Sequence, residues 1–136
     1  MDQSLIPVAD RLRSVDTLIT NANTDLAGMW PRACAWLLRI ALERAVRELW
    51  STVSPPMTHV TLRAQFLVVQ KYIGPEAAAD ARLLWSQLSA TSHHHDHQPA
   101  PSAAELRRWH DTAEHIIEAI DAAIRRHRAH DATPPD

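Results

Sequence analysis

Apolar residues recur at steps of three and four near the start of the chain: Leu5, Val8, Leu12, Val15 and Ile19, with Asp10, Arg11, Arg13 and Asp16 between them. That spacing gathers the apolar set on one face of an amphipathic helix ending near Asn21. The stretch NANTDLAGM is rich in turn formers, and Trp30-Pro31 then opens a second helix. Proline is tolerated there because the amide hydrogen it lacks would have no intrahelical partner. In PRACAWLLRIALERAVRELW the apolar residues cover well over half the circumference, so this segment, running to about Thr52, is predicted to be the central helix.

Ser54-Pro55-Pro56 breaks the pattern, after which Leu62, Phe66, Val69 and Ile73 mark a third helix that Gly74-Pro75 ends. A fourth begins at Pro75 and carries Leu84, Trp85 and Leu88, with Ala77, Ala78 and Ala81 permitting close approach. Its pattern fades after Leu88 in SATSHHHDHQPAPS. The fifth starts at Ser102-Ala103-Ala104-Glu105, a capping box in which serine and glutamate satisfy each other's end amides. It continues through Leu106, Trp109, Ala113, Ile116, Ile117, Ile120 and Ile124. No strand-period run and no long internal repeat competes with these helices. The expectation is an all-α, five-helix up-and-down bundle over residues 1–128, followed by a disordered tail at 129–136. Trp36 and Trp85 are expected in the core, whereas Trp30, Trp50 and Trp109, near helix ends or beside charge, are candidates for an interface.

Composition narrows the function classes. The chain has 136 residues, the size of one domain, and only two glycines, Gly28 and Gly74, where average usage would give roughly ten. Hairpin-rich folds and glycine-based phosphate loops are thereby excluded. Fourteen Lys and Arg against sixteen Asp and Glu give a formal charge of -2, so any site for a polyanion must be local. Cys34 is the sole cysteine, which excludes an internal disulfide and a cysteine-based zinc cluster. No run of apolar residues has transmembrane length, and MDQSLIPVAD lacks the basic and apolar regions of a signal peptide, so the expected compartment is the cytoplasm, with no membrane association.

Candidate chemistry concentrates in two places. His93, His94, His95 and His97 lie within five residues together with Asp96, and imidazoles there can move protons near neutrality or contact phosphate. Adjacent loop residues do not all converge on one tetrahedral ion, and although His59, His110 or His115 could supply a second segment, no HExxH-like spacing occurs, so no metal site is expected. The second place is Arg39 with Glu43, an i,i+4 pair inside the most apolar helix, with Arg32 and Arg47 on the same stripe. Ionised groups there need partners or a polar cleft. Ser92 and Asp96 flank the histidines, but the chain has no nucleophile elbow or glycine-based oxyanion turn, which rules out serine-hydrolase chemistry. Arg107-Arg108 and Arg125-Arg126-His127-Arg128 form small basic patches on the fifth helix.

WPRACAWLLRIALERAVRELW and LWSQLSATSHHHDHQPAPSAAELRRWHDTAEHIIEAI, together somewhat under half of the chain, resemble the HEPN (higher eukaryotes and prokaryotes nucleotide-binding) domain superfamily. The resemblance implies an all-α bundle, a homodimer, and metal-independent endoribonuclease activity or an RNA-associated role in bacterial defence or toxin-antitoxin systems, without a cofactor and with a protein partner encoded nearby. The family's usual motif is an arginine and a histidine with four to six residues between them, at a helix end. His93 occupies the histidine's place, but the arginine window holds Ser86, Gln87 and Leu88. Arg82 lies eleven residues before His93, roughly 16 Å along a helix. The resemblance then implies His93 as the proton-transfer group, Arg39 or its copy in a second subunit as the phosphate brace, Glu43 orienting that arginine, and Asp96 fixing a histidine tautomer. His94, His95, His97, Arg107 and Arg108 would contribute binding. A non-catalytic HEPN-like dimerisation or interaction module is the alternative.

Overall fold

A computed structural model of the chain describes residues 12–13, 29–92 and 99–133, and the regular elements among them are all helical, with no strand. Helix α1 spans Met29–Val53 and is followed by a 3-10 turn at Pro55–His59. Helices α2 (Leu62–Val68) and α3 (Gln70–Ile73) are short, and α4 (Pro75–Ser92) and α5 (Ala103–Asp131) are long. Of the first predicted helix, only Leu12 and Arg13 are described, and both are helical.

The element boundaries follow from local chemistry. Two consecutive prolines after Ser54 remove amide donors and end α1. Thr61 caps α2, its hydroxyl accepting from the Ala64 amide at 3.2 Å. Gly74 takes φ +87°, a conformation that side chains disfavour, and its amide closes on the Gln70 carbonyl at 2.9 Å before Pro75 starts α4. Ser102 caps α5 by accepting from the Glu105 amide at 3.1 Å, while the Glu105 carboxylate meets the Ser102 hydroxyl at 3.5 Å.

Helices α1, α4 and α5 pack against one another, and α2 and α3 close one side. Leu38, Leu42, Val46 and Leu49 of α1 meet Leu84 and Leu88 of α4 and Leu106, Ile116 and Ile120 of α5 in one buried cluster. Apolar burial of about 1.5–3 kcal/mol per large side chain is the main force holding this cluster. Two contacts set the orientation of α1 against α4: Arg32 reaches Thr91 and Glu43 reaches Trp85, so the two helices run antiparallel.

Several sequence expectations change. The third helix is interrupted at Val69, whose carbonyl accepts from both Tyr72 and Ile73. The fourth continues past Leu88 to Ser92, where the serine hydroxyl donates to the Leu88 carbonyl at 2.7 Å. The last runs to Asp131, three residues past the expected boundary at 128. Trp36, expected in the core, is 47% exposed, whereas Trp50, expected at an interface, is buried and donates to the Gln65 carbonyl at 3.2 Å. No helix among the described residues is long and apolar enough to cross a membrane.

Candidate functional site

Arg32 and Glu43 of the α1 stripe contact α4, and Arg39 lies between them in sequence. Arg32 Nη1 donates to the Thr91 carbonyl at 3.2 Å, one residue before the end of α4 at Ser92. Carbonyls of a last helical turn have no intrahelical donor, and a guanidinium there meets both that need and the negative end of the helix dipole. A cation from the central helix is thereby held two residues from His93 in sequence. Arg39 is half-buried, and its Nε–H is enclosed with no acceptor among the described residues. An enclosed donor in that condition costs stability unless a ligand supplies the acceptor.

Glu43 departs from the expected role. Its Oε1 accepts from Trp85 Nε1 at 3.0 Å, and among the described residues the carboxylate bonds to this indole and not to Arg39. Trp85 also stacks on Phe66, centroids 4.7 Å apart and planes 13° from parallel. The same two rings line a groove of 510 Å³ together with Arg63, Arg82, Ser86 and Ser89. Two guanidiniums and two hydroxyls lie around the half-buried Trp85 ring, while Phe66 is itself only 1% exposed. Trp85 thus touches both the groove and the α1 stripe.

The remaining expected site residues separate into two groups. His93, His94, His95, Asp96 and His97 lie outside the described residues. Arg107 is half-buried and lines a hollow of 470 Å³ with Arg13, His110, Asp111 and Glu114, whereas Arg108 is exposed. Consecutive helical residues point about 100° apart, so the two arginines leave α5 in different directions.

Two residues gain importance beyond their sequence reading. Arg32 was visible only as a member of the Arg39 stripe, and its contact with α4 required the packing angle. His110 was visible only as a distant histidine, yet it is 7% exposed and reaches the Leu12 carbonyl through Nε2 at 3.2 Å. In the same hollow, burial raises the Asp121 carboxyl above its ordinary value, with Arg125 opposing and Glu118 adding to the shift. Burial likewise raises the Cys34 thiol, which is fully enclosed in the core. No family model, curated protein or solved structure matches the chain.

Proposed function

We propose that the chain is an HEPN-like five-helix up-and-down bundle that cleaves RNA without a metal, in the cytoplasm and as a homodimer. The observation that carries this reading is the Arg32 contact with Thr91, which brings a guanidinium of the central helix to the end of α4 from which the histidine run departs. Arg39, seven residues further along the same stripe with an Nε–H that has no acceptor among the described residues, supplies the second cation. The pair replaces the arginine that the window before His93 lacks.

In this mechanism the 2'-hydroxyl of one nucleotide attacks the adjacent phosphate. A histidine of the 93–97 run takes the hydroxyl proton and an acid protonates the departing 5'-oxygen, giving a cyclic phosphate and a free 5'-hydroxyl. Arg39 braces the non-bridging oxygens, whose charge rises in the transition state. Asp96 holds one imidazole in the tautomer the step needs. Glu43 acts one contact further out, holding Trp85 against Phe66 at the wall of the groove. The groove with Arg63 and Arg82 gives a strand running along α4 a place for its neighbouring phosphates and bases. Purified protein is expected to cleave RNA in EDTA and to lose at least about a hundredfold in rate on His93→Ala/His94→Ala, the usual scale of acid-base catalysis. Unchanged cleavage by that variant removes the reading.

A second reading, a non-catalytic HEPN-like interaction module with a protein partner, draws on the apolar side chains at the surface. Trp36 is 47% and Leu83 is 61% exposed. It predicts assembly without RNA turnover. Light scattering at micromolar concentration distinguishes the cases for self-association: about twice 15.3 kDa supports the dimer common to both readings, and 15.3 kDa contradicts it.

A further inference from the structure

The middle of α5 carries a second constellation that the RNA chemistry does not use. His110, Asp111 and Glu114 each present one ligand atom, all within 4.8 Å of one another. Glu114 follows His110 by four residues and so shares its helix face, and Asp111 flanks both.

The imidazole is what distinguishes this group from ordinary surface carboxylates. His110 is buried at 7% exposure, and Nε2 lies 3.2 Å from the Leu12 carbonyl. A carbonyl only accepts, so Nε2 carries the proton, and in the neutral ring Nδ1 holds a lone pair. Among the described residues Nδ1 is enclosed without a hydrogen-bond partner, and it faces the Asp111 carboxylate at 3.6 Å. A lone pair and a carboxylate oxygen facing each other repel, and a proton on Nδ1 or a metal cation between the two groups converts that repulsion into attraction. The backbone carbonyl on the far ring nitrogen is the arrangement that fixes tautomer and orientation in histidines that bind metals.

We propose that His110 Nδ1, Asp111 and Glu114 bind a divalent transition cation of the zinc type. One imidazole nitrogen and two carboxylates suit zinc or manganese better than the oxygen-only sites preferred by magnesium and calcium. The Asp111 and Glu114 side chains are exposed and free to rotate, so the present spread closes to metal bonds of about 2 Å without moving the helix. Three protein ligands leave a further position for water. The two carboxylates offset the ion's charge, and the ion, through His110, strengthens the bond that ties Leu12 to α5. This site is separate from the metal-independent chemistry proposed at the α4 end and stands or falls independently of it.

The test uses the full chain, freed of metal by chelator and titrated with zinc chloride, with the ring nitrogen resonances of the histidines followed by NMR. The His110 signal is identified by its loss in His110→Gln. Zinc is expected to shift His110 Nδ1 at one equivalent and to raise the melting temperature. Asp111→Asn/Glu114→Gln keeps both shapes at exposed positions and is expected to weaken binding at His110 at least about tenfold. Zinc that moves only the histidines at 93–97, or binding at His110 that the double variant leaves intact, overturns the proposal. A gain in melting temperature that persists in the double variant assigns the stabilisation to another site and equally contradicts it.

Discussion

Trp85 carries two kinds of contact that ordinarily belong to different residues: a stacked ring against Phe66 and a donated hydrogen bond to Glu43. Trp85→Phe keeps an aromatic ring for the stack and removes the donor, leaving a half-buried carboxylate without its partner. The expected loss is about 1–3 kcal/mol, read as a lower urea midpoint at constant slope. Glu43→Gln keeps an acceptor at the same place and is expected to lose less. Cys34 offers a separate check on the interior. It is fully enclosed, and burial raises its thiol, so both access and thiolate are scarce. A thiol reagent at pH 8 is expected to leave native protein unmodified and to react promptly in denaturant, and rapid reaction of the native chain would contradict the enclosure. At this scale the sequence reading was weakest. Trp36 and Trp50 sit on one helix with similar apolar neighbours, and which of them faces α2 depends on a packing geometry that periodicity does not contain.

Elements were far more legible, because a long helix with a continuous apolar stripe states its own phase. The core positions of α1 and α5, from Leu38 to Leu49 and from Leu106 to Ile120, fall where their spacing puts them. The ends were read where a residue with a specific terminal role stands, as at Gly74 and Ser102, and missed where none does. Helix α4 outruns its apolar pattern to Ser92, whose hydroxyl donates back to the Leu88 carbonyl, a bond that leaves no hydrophobic trace. The interruption at Val69 is equally silent, since that residue keeps helical φ and ψ. Ser102→Ala removes the acceptor for the Glu105 amide and is expected to cost about 1 kcal/mol, with Ser102→Asp near neutral. Thermal unfolding monitored by circular dichroism decides it, and an alanine variant as stable as the parent would show that the cap contributes nothing.

For the whole molecule, the polar chemistry of α1 is organised by antiparallel packing on α4, which brings Arg32 to Thr91 and Glu43 to Trp85. The candidate site was half legible: the residue types and the stripe were plain, but their partners were not, because an i,i+4 pair in sequence gives no sign that a tryptophan forty-two residues away takes the carboxylate. The central claim is that arginines of α1 and imidazoles of the 93–97 run act on one phosphate. Its most direct measurement is an NMR titration with a short RNA whose reactive 2'-hydroxyl is replaced by hydrogen, so that it binds without being cleaved. The account predicts that the Arg39 Nε–H resonance and at least one imidazole of that run shift together, along one saturation curve. An Arg39 signal that stays fixed while RNA saturates the protein would contradict it.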